Sequence, residues 1–115
     1  MSQLLNITKD EILAQKVRLC DSFFHRLKGL LASKKLEDNE ACWLVPCNSI
    51  HTFGMRYSID AYFLNKDKKV VAIEKNLKRN RVSRIYLKGY SVLEFASGPV
   101  RKCDIGDQLS LEAHS

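Results

Sequence analysis

Two apolar runs joined by a short charged turn constrain the fold more than any other feature of this sequence. Ile59 to Leu64 and Val70 to Glu74 are rich in β-branched and aromatic residues, which favour strands. The intervening stretch, Asn65 to Lys69, is polar and charged, as is typical of a hairpin turn. The sequence therefore predicts an antiparallel pair of strands near the middle of the chain.

Further strand-like segments extend this pair into a sheet. Ala41 to Val45 and Ser91 to Phe95 are short apolar runs, and Gln108 to Ala113 follows a turn. Ile12 to Leu19 mixes apolar and polar residues and fits either a strand or a short helix. The central connections are too short to hold the helices that a parallel doubly wound sheet would need. We expect about five to seven short strands from these runs.

Two helical segments complete the predicted fold. Asp21 can cap a helix over residues 22–31, whose apolar residues recur at three- and four-residue spacing. Ser97 can cap a single helical turn that opens at Pro99. The predicted fold class is α+β and mainly β: a small barrel-like or strongly curved, mostly antiparallel sheet with one N-terminal helix and a short C-terminal helical turn. We predict a single domain over residues 1–115.

The composition favours a cytoplasmic protein without disulfides. No run approaches the roughly 20 apolar residues of a membrane span, and Lys9, Asp10 and Glu11 interrupt the region where a secretory signal would be apolar. Because a reducing compartment keeps cysteines reduced, we expect four thiols. These are Cys20, Cys42, Cys47 and Cys103.

The positive charge of the chain is concentrated in one stretch. The net charge is +6, and residues 66–88 contain nine basic and two acidic residues, a local balance of nine minus two, or +7. Tyr86 and Tyr90 lie among these cations, a mixture that can bind nucleic acid by stacking and phosphate contacts. Lysines in turns and edge strands also prevent unwanted sheet pairing, and a solvated surface is the usual explanation of such a run.

The segment from Pro46 to Asp60 holds the densest group of chemically active side chains. One hypothesis makes Cys47 a nucleophile, His51 its general base and Asp60 the third member. In a strand, however, residues four apart are separated by about 13 Å. Extended backbone would instead place His51, Phe53 and Met55 on one face.

A zinc site is the second hypothesis for the cysteines. Cys42, Cys47, His51 and Cys103 are suitable ligand types, but they lack the closely spaced pairs of most structural zinc sites. The sequence also has no glycine-rich phosphate loop. We therefore predict no metal and no cofactor.

An ordered series of motifs along the chain resembles a known family. The motifs are Arg26-x-x-Gly29-Leu30, Phe53-x-Met55-Arg56, Ile59-Asp60-x-x-Phe63-Leu64, Val70-Val71-Ala72-Ile73, Ser91-Val92-Leu93-Glu94 and Ile105-Gly106-Asp107. Together they resemble the prokaryotic family called domain of unknown function 192, over about residues 16–111. The resemblance implies a compact, mostly β fold and no established activity. The short N-terminal segment is similar to that of the family's cytoplasmic branch.

The family resemblance also implies a set of ligand-binding residues. Matched residue by residue, it points to one face lined by His51, Thr52, Met55, Arg56, Asp60 and Glu94. Asp60 has a structural alternative, in which it accepts hydrogen bonds at a turn.

The functional hypothesis is a non-enzymatic binding module. In it, a curved sheet presents the segment from His51 to Asp60 beside the basic stretch and binds an anionic small molecule or an acidic protein partner. Arg56 would supply bidentate contacts and His51 a switchable donor. The alternatives are a hydrolase or transferase that uses Cys47 with His51, and nucleic-acid binding through residues 66–88. No membrane association is expected.

Overall fold

The computed structural model describes residues 2–20, 36–52, 57–78 and 80–113 of the chain. Seven strands in these ranges form one sheet. The strands are β1 (Ser2–Asn6), β2 (Glu11–Leu19), β3 (Glu40–Leu44), β4 (Ile59–Leu64), β5 (Val70–Leu77), β6 (Ser91–Ala96) and β7 (Leu109–Ala113). Their order across the sheet is β5-β4-β6-β3-β2-β1-β7.

The sheet is mostly antiparallel and strongly curled. Among the seven strands of the described ranges, only β2 and β3 pair in parallel. The predicted β4–β5 hairpin is present, with Phe63 opposite Ala72. The two outermost strands approach each other at one end, where Lys69 forms an isolated bridge with Gln108. These features confirm the predicted mainly β, curved sheet.

Two apolar layers lie on opposite faces of the sheet, because side chains alternate along each strand. The layer with contributions from all seven strands, called the interior core here, contains Leu4, Leu13, Ala14, Val17, Ala41, Tyr62, Leu64, Val70, Leu93, Phe95, Cys103 and Leu109. The second layer, called the outer core, contains Cys20, Leu36, Cys42, Leu44, Ile50, Ile59, Ala61, Phe63, Ala72, Val92 and Ala96. Strands β4 and β6 are buried on both faces.

The helical predictions differ from the structure. The predicted turn at Ser97 to Pro99 is wrong: the backbone there bends, Gly98 has φ 138°, and the Ser97 hydroxyl donates to Asp60. The predicted helix after Asp21 lies outside the described residues. The ranges that the structure describes contain no helix, and hence none that could span a membrane.

The prediction of four thiols is wrong for two of the cysteines. Cys20 and Cys42 form a disulfide, with their Cα atoms 5.8 Å apart. The parallel pairing of β2 with β3 brings the two cysteines together. The Cys20 amide continues this pairing by donating to the Trp43 carbonyl at 2.7 Å. Cys47 and Cys103 keep their thiols, as predicted.

Candidate functional site

The residues predicted to line one site are divided between the two faces of the sheet. In the register of β4 with β6, Asp60 lies opposite Phe95, and Glu94 lies opposite Ala61. Directly opposed residues of an antiparallel pair point to the same face. Phe95 belongs to the interior core and Ala61 to the outer core, so the two carboxylates point to opposite faces.

The Asp60 carboxylate is bound by donors from its own chain. It is 5% exposed and accepts hydrogen bonds from the Asn76 amide and the Ser97 hydroxyl, each at 2.8 Å. Its second oxygen pairs with Arg101 Nη1 at 3.3 Å. A buried carboxylate needs such partners. Asp60 therefore accepts hydrogen bonds within the fold, which is the alternative to ligand binding given in the sequence analysis.

Arg101 is a buried cation that the sequence analysis missed. Its guanidinium lies over the Phe95 ring at 4.1 Å, and Nη2 donates to the carbonyls of Ala96 and Asp38 at 3.2 and 3.4 Å. The pair with Asp60 therefore ties the chain after β6 to the sheet. No local pattern around Arg101 distinguishes it from a surface arginine.

Thr52 and His51 attach their segment to the basic stretch. The fully buried Thr52 hydroxyl donates to the Lys78 carbonyl at 2.6 Å and accepts from the Arg81 amide at 2.8 Å. His51 forms an antiparallel bridge with Val82. This part of the segment thus lies beside the basic stretch, while Met55 and Arg56 lie outside the described residues.

Cys47, the proposed nucleophile, forms a hydrogen bond to the backbone of its own segment. Its Sγ donates to the Ser49 carbonyl at 3.0 Å, a hydrogen bond that only the protonated thiol can make. Asp60, the suggested third member of the catalytic group, instead forms a buried ion pair with Arg101. The Cys47 and His51 hypothesis thus loses its orienting carboxylate.

The suggested metal ligands do not gather. Cys42 is in the disulfide, and burial raises the pKa of the Cys103 thiol to about 12. Among the described ranges, no three histidine, cysteine, aspartate or glutamate side chains are grouped to hold a metal ion.

A second polar cluster fixes the turn before β7. Asp107 is 5% exposed and accepts from Lys9, from the Asn6 side chain at 2.8 Å and from the Asp104 amide at 2.9 Å. The hydrogen bond from Lys9 is the main cause that lowers the pKa of Asp107 to about 2. All these partners belong to the chain, which favours a structural role.

The most exposed apolar side chains of the basic stretch lie on residues 80–90, called the basic apolar loop here. Leu87 is 90% exposed, Ile85 67% and Val82 61%. The exposed basic residues of the same loop are Arg81, Arg84 and Lys88. Apolar and cationic side chains are therefore both exposed along this loop.

Inward-pointing groups hold this loop in place. The buried Ser83 hydroxyl accepts from the Ile50 amide at 2.9 Å, and the Ser83 amide donates to the Ile50 carbonyl at 2.8 Å. The Tyr86 amide donates to the Asn48 carbonyl at 3.0 Å. At Gly89, an added Cβ would lie 3.0 Å from the Tyr86 carbonyl, so the close turn there favours glycine.

Tyr86 forms the base of a cavity between β5 and the loop. The centre of its ring lies 4.4 Å from the centre of the Phe63 ring, and its hydroxyl donates to Glu74 Oε2 at 2.8 Å. Burial, with this hydrogen bond, raises the pKa of the Tyr86 phenol. The cavity has a volume of about 330 Å³ and is lined by Val71, Ile85, Tyr86, Leu87 and Lys88.

Comparison with known proteins decides the family. The model of the DUF192 family, described as an uncharacterized ACR, matches residues 5–111. The chain belongs to this family. A curated relative from Thermococcus sibiricus is named UPF0127 protein. It is 31% identical over an alignment of 119 positions, which covers 95% of this chain and 74% of the relative. The resemblance seen in the sequence motifs is therefore confirmed.

Two solved structures are similar to this DUF192 chain. One, from Novosphingobium aromaticivorans and described as a protein of unknown function, has a TM-score of 0.75 at 17% identity and covers 95% of this chain and 82% of that one. The other, from Sinorhizobium meliloti and described provisionally as a transcription regulator, has a TM-score of 0.73 at 19% identity, with coverages of 96% and 91%. At these identities the likeness concerns the fold alone. The function of this DUF192 chain must therefore be argued from its own surface.

Proposed function

We propose that this DUF192 chain is a non-enzymatic binding module that binds an acidic protein partner through the basic apolar loop. The observation that carries the proposal is a loop whose backbone is held by hydrogen bonds to residues 48–50. This loop nevertheless exposes Val82, Ile85 and Leu87. Exposed apolar groups rimmed by polar residues are typical of interaction sites. Because the loop is already ordered, binding would cost little conformational entropy.

Charge selects the class of partner. The basic residues of the loop continue a stretch whose local balance is +7 by sequence. One of its two acids, Glu74, accepts a hydrogen bond from Tyr86. An acidic partner would be steered toward this surface, and a basic one repelled.

An anionic small molecule at the segment from His51 to Asp60 has less support in the described residues. The Asp60 carboxylate pairs with Arg101, and the Thr52 hydroxyl bonds with Lys78 and Arg81. This ligand, centred on Arg56, stays a prediction.

Nucleic-acid binding is also less favoured than a protein partner. Stacking on bases needs accessible aromatic faces, whereas Tyr86 packs on Phe63 and donates to Glu74. Tyr90 is 40% exposed, with Lys66 Nζ 5.5 Å from its ring centre. An oligonucleotide is therefore a comparison ligand in the test.

The test measures binding of defined labelled peptides to the full chain by fluorescence polarisation. An acidic peptide with alternating Glu and Leu should bind, a Lys and Leu peptide should not, and added salt should weaken the complex by screening. Arg84→Glu should lower affinity about tenfold, since like charges at an interface cost affinity. Lys16→Glu on β2, also an exposed cation, is the matched control and should have no effect.

Two outcomes would contradict the proposal. One is equal binding of the acidic and basic peptides, or no binding of either. The other is a single-stranded oligonucleotide that binds more tightly than the acidic peptide and loses affinity in Arg84→Glu, which would assign the loop to nucleic acid.

A further inference from the structure

We infer that the cavity between β5 and the basic apolar loop is a socket for one large apolar side chain, and that the partner is a short segment in which acidic residues flank that side chain. This inference rests on the proposed function and specifies its ligand. The cavity volume of about 330 Å³ lies at the lower end of the roughly 300–1,000 Å³ range of small-ligand sites. The cavity is open to solvent, so a side chain of a docked segment can enter it directly.

The base of the socket is fixed before any partner arrives. Tyr86 is held by its ring contact with Phe63 and its hydrogen bond to Glu74, and half-buried Val71 packs against the outer core. The rim, in contrast, is formed by the exposed side chains of Ile85 and Leu87. A bound apolar side chain would remove this rim from water without rearranging the base, the arrangement found at the centre of strong protein contacts.

The charges around the socket decide where the partner's carboxylates lie. Glu74 accepts the hydrogen bond of Tyr86 next to the base, so an acidic side chain inside the socket would meet a like charge. Lys88 lines the cavity, and exposed Arg84 lies on the same loop. The apolar side chain therefore enters the socket while the flanking carboxylates stay at the rim.

Two peptides and three protein variants distinguish the contribution of the socket to binding from that of the charge. The peptides share flanking glutamates and carry either one central Leu or Ala in its place. The variants are Leu87→Ser, Val100→Ser and Arg84→Gln. Leu87 and Val100 are each 90% exposed, so Val100→Ser is a control matched for burial, and thermal unfolding checks that every variant stays folded.

The expected result is a coupling between peptide and protein changes. Replacing Leu by Ala in the peptide should weaken binding about tenfold, as the loss of an anchoring side chain does. Leu87→Ser should weaken binding of the Leu peptide by a similar factor and leave the affinity of the Ala peptide unchanged. Such non-additivity reports direct contact between the two side chains. Val100→Ser should change the affinity of neither peptide, and Arg84→Gln should weaken the binding of both peptides.

The failure of this inference differs from the failure of the proposed function. If both peptides bind equally, Leu87→Ser is neutral and Arg84→Gln weakens both, the socket is overturned and the acidic-partner proposal stands. If neither acidic peptide binds, both are overturned.

Discussion

The pair of Asp60 with Arg101 and the basic apolar loop use charged residues in opposite ways. Asp60 and Arg101 are 5% and 8% exposed, and their hydrogen bonds go to each other and to nearby groups of the same chain. In the loop, Arg84 and Lys88 are exposed, while the uncharged Ser83 and Tyr86 hold the backbone. The buried pair therefore stabilises the fold, whereas the charges of the loop stay exposed to solvent, where the proposed acidic partner would bind.

The largest effect should come from breaking the buried pair. Asp60→Asn removes the charge that compensates Arg101, and leaving one buried charge unpaired costs about 3–5 kcal/mol of unfolding free energy. Chemical denaturation measures this loss, with Asp67→Asn in the exposed hairpin turn as the control. A loss below about 1 kcal/mol would mean that the pair is not structural and would return Asp60 to the candidate ligand-binding residues.

Loss of the disulfide between Cys20 and Cys42 should have the next largest effect. Replacing Cys20 and Cys42 by Ser removes a link between residues 22 apart, which corresponds to about 3 kcal/mol of stability in the loop-entropy account. A reductant should lower the unfolding free energy of the unmodified chain by the same amount and leave the double variant unchanged. A chain insensitive to reductant would contradict the disulfide's contribution.

A smaller effect is expected from the groups that hold the loop. Ser83→Ala leaves the buried Ile50 amide without its hydroxyl acceptor, at a cost of about 1–2 kcal/mol. It should also weaken binding of the acidic Leu peptide, because the loop would have to be ordered on binding. Ser110→Ala, which removes an exposed hydrogen bond to Glu112, is the control. Unchanged affinity in a destabilised Ser83→Ala protein would show that order in the loop is unimportant.

The smallest effect is on how stability depends on pH in the acid range. Lys9 lowers the folded-state pKa of Asp107 to about 2 from an ordinary 3.8, so the stability from this group is complete above about pH 4 and is lost as pH falls toward 2. Asp107→Asn should flatten that part of the melting temperature profile between pH 5 and pH 2. The same variant should keep its affinity for the acidic Leu peptide at neutral pH, because Asp107 has no part in the proposed binding surface. A profile as steep as that of the unmodified chain would contradict the assignment.

Much of the sheet was predictable because its central strands carry their own signal. Strand β4 has its predicted limits, β6 ends one residue later than predicted, and β5 ends three residues later. Strand β1 was missed because Ser2–Asn6 lacks β-branched residues and becomes a strand by pairing with both β2 and β7. Long-range pairing of this kind leaves no local pattern.

The candidate site was less predictable, because it depends on register and on distant hydrogen bonds. Alternation alone separates neighbours within a strand, but only the pairing of β4 with β6 shows that Asp60 and Glu94 point to opposite faces. The exposure of Ile85 and Leu87 follows from contacts of Ser83 and Tyr86 with Ile50 and Asn48, more than thirty residues away. Apolar residues are usually buried, so the sequence alone does not indicate an exposed surface here.

Titration of the isotope-labelled chain with the acidic Leu peptide, followed by amide chemical shifts in NMR, would locate the binding surface residue by residue. We expect the largest shift changes in residues 82–88 and at Val71. The amides of Asn76, Ser97 and Arg101 around Asp60 should change little. The largest changes around Asp60, with the loop unaffected, would contradict the proposed binding surface.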